Sequence, residues 1–189
     1  RRRDLTAVGV FDSPRDGTRA DSPTARLRPD DLVVALARFV HRVHTSAPVD
    51  GVDTSSATPS DYLVLAAERV ESGAVTSDSF DEPYRPHAPE RLLSIATDLA
   101  DGLGAVTSVP VHGSLALADL RIDGGSVVGW TVPATPGLGD SYVDLSFLAR
   151  DLAAAIGPAA VPALFDAYGA ERPDPVRIEF WVTLRQLLP

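Results

Sequence analysis

The spacing of hydrophobic residues changes twice along this 189-residue chain, and this change limits the folds that it can adopt. Apolar positions first recur every three or four residues, as in helices, then alternate as in strands, and then return to the helical spacing. The helical patterns cover 29–44, 60–73, 89–104, 143–157, 158–169 and 174–188. The sequence therefore predicts a mainly α fold with a small β-hairpin unit, an α+β domain in which three helices precede the hairpin and three follow it.

The segment 29–44 carries the clearest helical signal. Its apolar residues fall on one face at spacings of three and four: Leu32, Leu36, Phe39, Val40 and Val43. Proline at position 29 suits the first turn of a helix, because the N–H that it lacks would have no partner there. We therefore expect this helix to bury its apolar face in the core.

The change of spacing falls between 108 and 132. "SVPVHG" predicts a short buried strand, and "ADLRID" and "SVVGWTV" alternate on either side of a Gly-Gly pair. Two alternating runs joined by such a turn are typical of a β-hairpin. We expect Trp130, at the end of this hairpin, and Trp181, in the last helix, to lie in the core rather than to form a binding platform.

The composition excludes several classes of site and partner. A net charge of −9 disfavours nucleic acid and anionic membrane surfaces. The absence of cysteine removes disulfides and thiolate metal sites. No apolar run reaches the roughly 20 residues that a membrane span needs. All 17 basic residues are arginine, so a mechanism that needs a lysine is excluded for this chain taken alone. We expect a cytoplasmic protein.

The stretch "VHGSLALADL" resembles the catalytic loop of the aminoglycoside phosphotransferase and choline kinase family, which has a protein-kinase-like fold. The loop of that family reads roughly H-G-D-x-x-x-x-N. His112 and Gly113 stand in place, Ser114 occupies the position of the catalytic Asp, and Asp119 that of the Asn. Val132, thirteen residues further on, occupies the position of the metal-binding Asp. The resemblance therefore implies a degenerate active site.

The residues around the loop extend the resemblance. Gly137 to Asp140, followed by Asp144, are similar to the family's helix-opening segment. The resemblance covers 29–189, which we interpret as a kinase-like C-terminal lobe with its catalytic-loop hairpin at 109–132. Residues 1–28 are expected to supply at most a strand remnant and a linker, so the N-terminal lobe of the fold would be largely absent.

In that family the loop aspartate takes a proton from the acceptor hydroxyl, which Ser114 cannot do near neutral pH. Asp119 is only a weak metal candidate and is expected to cap the backbone or to pair with Arg121. The resemblance implies that His112 braces the loop, and the place of Asp140 and Asp144 at a helix start favours capping and contacts with the helix dipole. We expect no catalytic residue, no bound metal and no cofactor in this chain.

Three functions stay open. The first is an aminoglycoside phosphotransferase-like pseudokinase, inactive as a catalyst and serving protein binding or scaffolding. The second is a small-molecule module that holds a cationic amine, for which acids of the second and third helices are weak candidates: Asp61, Glu68, Glu71 and Asp98. The third is an ATP-dependent phosphotransferase whose N-terminal lobe lies outside this chain, with Mg-ATP as its cofactor.

Overall fold

The computed structural model describes residues 17–47, 57–131, 137–170 and 172–188 of the chain. Its helices are α1 (Pro23–Arg26), α2 (Pro29–Thr45), α3 (Pro59–Glu71), α4 (Pro89–Ala100), α5 (Tyr142–Ile156), α6 (Ala160–Tyr168) and α7 (Pro175–Leu187). Its strands are β1 (Thr18–Arg19), β2 (Ser108–Val111), β3 (Leu120–Asp123), β4 (Ser126–Trp130) and β5 (Gly137–Asp140), and 3-10 turns lie at Ser77–Ser79 and Leu117–Asp119. The predicted mainly α fold with a small hairpin unit is confirmed.

Helix α2 shows how the predicted helices form. It begins at Pro29 and buries the five apolar residues that the spacing placed on one face. Asp30 and Asp31 lie in its first turn, where carboxylates stabilise the positive end of the helix dipole. The buried face packs against α6, β2 and β4. Helix α2 therefore lies directly behind the segment that resembles a catalytic loop.

The strands form two small antiparallel sheets. The first has the order β1-β3-β4, and the second pairs β2 with β5. Strands β3 and β4 form the predicted hairpin, in which Asp123 pairs with Ser126. The two residues between them, Gly124 and Gly125, have φ angles of 53° and 74°, the left-handed region that this tight turn requires and glycine adopts without strain.

One part of the sheets differs from expectation. Residues Gly137–Asp140, which we assigned to the opening of a helix, instead form a strand in register with β2. The pairing satisfies backbone N–H and C=O groups that an isolated loop would leave without hydrogen bonds. The segment has no alternating apolar pattern, so the sequence did not reveal this strand. In the segment 17–28, β1 pairs with β3. Residues 1–16 of the expected strand remnant and linker lie outside the described part of the chain.

The core consists of two hydrophobic clusters on opposite sides of α5. One joins α5 to α2, α6 and the hairpin, and the other joins α5 to α3, α4 and α7. Trp130 is 6% exposed and Trp181 1% exposed, so both lie in the core as predicted. None of the helices within the described ranges is long and apolar enough to cross a membrane.

Candidate active-site loop

The loop that follows β2 passes from Val111 through Gly113 into the 3-10 turn Leu117–Asp119. Gly113 has a φ angle of 84°, a backbone conformation that side-chain-bearing residues rarely adopt. This glycine turns the chain at the point where the resemblance places the reacting groups. The loop therefore has two parts, a base at 112–113 and a tip that begins at residue 114.

Asp144 of helix α5 holds the base of the loop. Its Oδ2 accepts a hydrogen bond of 2.7 Å from the backbone N–H of His112, and its Oδ1 one of 2.9 Å from that of Gly113. The residue is 1% exposed. Asp144 lies in the first turn of α5, as its predicted contact with the helix dipole requires, but its oxygens accept from the loop and from His44 rather than capping the helix. Charge-assisted bonds of this kind are about twice as strong as neutral ones.

His44, near the end of α2, completes the surroundings of this carboxylate. Its Nε2 lies 3.2 Å from Asp144 Oδ2, and its Nδ1 lies 3.0 Å from the hydroxyl of Tyr168. A carboxylate only accepts, so Nε2 must carry a proton. Both His44 and Asp144 are buried, and the chain of hydrogen bonds therefore joins α6, α2, α5 and the loop.

His112 is fixed by its side chain as well as by its backbone. Its Nε2 donates a 3.0 Å hydrogen bond to the carbonyl of Thr131, and its ring packs against Trp130 at a centroid distance of 5.1 Å. The residue is 3% exposed. These contacts tie the loop to the end of β4 and confirm the interpretation of His112 as a bracing residue.

At the tip, the backbone N–H of Leu117 donates a 3.1 Å hydrogen bond to Asp151 of α5, and Leu115 and Leu117 are buried. Ser114 is exposed. Asp119 is half-buried, and its Oδ2 accepts a 2.9 Å hydrogen bond from the N–H of Ala116, which confirms the expected capping. The expected pairing with Arg121 is not found, since the guanidinium of Arg121 donates to the carbonyl of Gly17.

Val132, which the resemblance places at the position of the metal-binding Asp, lies outside the described part of the chain. Within the described ranges, no group of three histidine, aspartate or glutamate side chains is placed to hold a metal ion.

Asp140, the last residue of β5, lies at the start of α5 as predicted. Its Oδ1 accepts from the N–H of Tyr142, the first residue of that helix, at 3.0 Å. Its Oδ2 accepts a 3.1 Å bond from the indole N–H of Trp181, and the Nε of Arg177 lies 3.7 Å away. The capping prediction is confirmed, and the bond to Trp181 adds an attachment to α7 that the sequence did not reveal.

The four acids proposed for a cationic amine are all exposed, on α3 and α4: Asp61, Glu68, Glu71 and Asp98. Asp61 forms a capping box with Thr58 at the start of α3. The hydroxyl and the backbone N–H of Thr58 lower the pKa of Asp61 below its usual value. Its Oδ2 therefore accepts hydrogen bonds at the start of the helix.

The chain matches known proteins in sequence and in fold. It is 30% identical over 162 residues to an aminoglycoside 3'-phosphotransferase of Salmonella typhimurium, a match that covers 82% of this chain and 55% of that protein. The chain thus spans little more than half the length of this curated relative. No protein-family model matches it.

Solved structures agree with the sequence match. Aminoglycoside phosphotransferase APH(3'')-Id from Streptomyces rimosus superposes with a TM-score of 0.77 at 24% identity, over 91% of this chain and 66% of that chain. The same enzyme has been solved in complex with ADP and streptomycin. A choline/ethanolamine kinase family protein from Mesorhizobium loti gives 0.64 at 13% identity, over 88% and 55%. The resemblance to the aminoglycoside phosphotransferase and choline kinase family, with its protein-kinase-like fold, is thus confirmed over most of this chain.

Proposed function

We propose that this chain is an aminoglycoside phosphotransferase-like pseudokinase, which does not transfer phosphoryl groups and serves to bind or scaffold another protein. The observation that carries the proposal is the contrast within one loop. Its base is held by Asp144, His44 and His112, whereas Ser114 stands exposed where the reaction needs a carboxylate. Supporting contacts that are kept around a loop whose reacting carboxylate is replaced are typical of a kinase-like protein that has lost catalysis.

The chemistry of the tip supports the inactive assignment. Phosphoryl transfer requires a group that orients the acceptor hydroxyl and oxygens that hold Mg²⁺. A serine hydroxyl is not basic near neutral pH, and the carboxylate of Asp119 already accepts from Ala116. Val132, as a residue type, offers no side-chain oxygen. A single engaged carboxylate is a poor site for Mg²⁺ beside a triphosphate.

In related kinases a lysine on the N-terminal lobe positions the phosphates. This sequence contains no lysine but spans only about half the length of its curated relative, so an active enzyme would depend on a lobe outside this sequence. The Streptomyces rimosus relative has been solved with ADP. An active phosphotransferase that uses Mg-ATP is therefore the main alternative, and it would need ligands beyond those of the described residues.

A protein partner suits the surface of α3. Val64 is 60% exposed and Leu65 48% exposed, and they are adjacent on this helix. Binding of a cationic amine, such as the streptomycin found in the relative, is the second candidate. It would depend on Glu68, Glu71 and Asp98, because Asp61 is engaged with Thr58.

A phosphoryl-transfer assay tests the proposal. The purified protein is incubated with Mg²⁺ and ATP labelled at the γ-phosphate, with streptomycin, kanamycin and choline as acceptors. We expect no labelled product above a protein-free control. Transfer that is lost in Asp119→Ala would contradict the proposal, because it would show that this side chain holds the metal.

A further inference from the structure

A cluster of charged side chains lies beside the tip of the loop, where α5 and α7 meet the segment between α3 and α4. Arg150 of α5 is its centre: its Nη1 donates to Asp81 at 2.6 Å and its Nη2 to Asp151 at 2.6 Å. The amide of Gln186 donates a further 2.8 Å bond to Asp81. Both carboxylates of the cluster are therefore committed to Arg150 and its neighbours.

The cluster is attached to the loop itself. The second oxygen of Asp151 accepts a 3.1 Å hydrogen bond from the backbone N–H of Leu117, the first residue of the 3-10 turn. The side chains of Arg150 and Asp81 are 27% and 44% exposed, so solvent reaches the cluster. Its position makes it a surface that a small molecule bound at the loop tip could contact.

Arg185 of α7 belongs to this cluster but has no carboxylate of its own. No ion pair joins it to an acid within the described residues, and its Nη1 is buried without a hydrogen-bond partner there. Its guanidinium lies over the ring of Phe147, at 4.6 Å from the centroid. Burial, and then the charge of Arg150, lower the pKa of Arg185. The half-buried guanidinium of Arg185 thus lies over an aromatic ring and near the cation of Arg150.

This arrangement is costly unless an anion completes it. A guanidinium loses hydration on burial, and a hydrogen-bonded counter-charge is what normally offsets that loss. Contact with the face of an aromatic ring offsets only part of this lost hydration. The acids within electrostatic reach of Arg185 are Asp81, Asp151 and Asp119, and each already accepts hydrogen bonds from other groups.

We propose that Arg185 is a binding site for the oxyanion of a small molecule, a carboxylate or a phosphate group, at the edge of the loop tip. The planar guanidinium presents paired N–H donors that match both groups. The proposal does not depend on whether the loop is catalytic.

Titration with inorganic phosphate and, separately, with acetate tests the site. The side-chain N–H signals of the arginines are followed by NMR at low ionic strength. We expect saturable shifts of the Arg185 signal at millimolar anion, and an affinity that falls about tenfold or more in Arg185→Gln. Arg91→Gln is the matched control, because Arg91 is exposed on α4 and the variant changes the net charge equally. We expect it to bind like the wild type.

Two results would overturn the proposal. One is the absence of a saturable shift at Arg185. The other is an equal loss of affinity in Arg91→Gln, which would indicate only a general charge effect. If Arg185→Gln does not fold, Arg185→Lys decides, since lysine keeps the charge and removes the paired donors. A several-fold weaker affinity in that variant supports the site, and an unchanged affinity contradicts it.

Discussion

The base and the tip of one short loop differ in the groups that hold them. At the base, two backbone N–H groups and one imidazole donate to the buried carboxylate of Asp144, and His112 is fixed from a second direction by Thr131. At the tip, Ser114 is exposed, the side chain of Asp119 caps its own turn, and the backbone N–H of Leu117 donates to Asp151 of α5. The difference shows that the backbone path of such a loop depends on groups other than those that would react.

The largest effect is expected from Asp144→Ala, which removes the acceptor at the centre of the base. The backbone N–H groups of His112 and Gly113 and the imidazole of His44 would then be buried without their partner. We expect a loss of about 3 to 5 kcal/mol in the free energy of unfolding, measured with urea. Asp98→Ala, an exposed control, should cost about 0.5 kcal/mol or less. Equal losses would mean that Asp144 does not hold the base.

A smaller loss is expected from His44→Ala, which removes one donor to Asp144 and leaves a gap between α2 and α6. We expect about 2 to 3 kcal/mol in the same unfolding experiment, and faster hydrogen exchange of the amides of His112 and Gly113. Arg42→Ala, on the same helix but exposed, serves as the control. If these two amides exchange at the wild-type rate in His44→Ala, then His44 does not stabilise the base of the loop.

Tyr168→Phe probes the far end of the same chain of hydrogen bonds and should cost about 1 kcal/mol. Burial raises the pKa of the Tyr168 hydroxyl above its usual value of 10.0. The neutral form is therefore favoured in the folded state, so this contribution is fully present below pH 10 and is lost as the pH rises through the raised pKa. Ultraviolet titration of tyrosinate should show one fewer late-titrating group in the variant. Identical alkaline titrations would refute this assignment.

The smallest effect is expected at the tip. Ser114→Ala should change the free energy of unfolding by less than about 0.5 kcal/mol, because the side chain is exposed. Hydrogen exchange at the base should stay at the wild-type rate. A loss comparable with that of His44→Ala would remove the distinction between base and tip.

The sequence was sufficient for much of the fold, because each main helix has a clear apolar face and the Gly124-Gly125 turn specifies its hairpin. It was insufficient for β5, since Gly137–Asp140 has no alternating pattern and forms a strand only because β2 offers its edge. That Ser114 stands at the catalytic Asp position is what the family resemblance implies.

The support of the loop could not be predicted in the same way. Asp144 lies 100 residues from its partner His44 and 32 from His112, so only the packed helices bring them together. The nearest signal was the resemblance itself, which included His112 and Asp144 but did not connect either of them with His44. The cluster around Arg150 joins α5 to Asp81, a residue 69 positions away, and no local pattern marks it.

Calorimetric titration of the protein with ATP, with and without Mg²⁺, tests the central claim. The claim is that the contacts at the base of the loop are kept although the loop no longer supports Mg-ATP chemistry. The account predicts no heat of binding at millimolar nucleotide in either condition. Binding that strengthens with Mg²⁺ would contradict it, because Asp119 would then have found a second metal ligand and the tip of the loop would still be a working site.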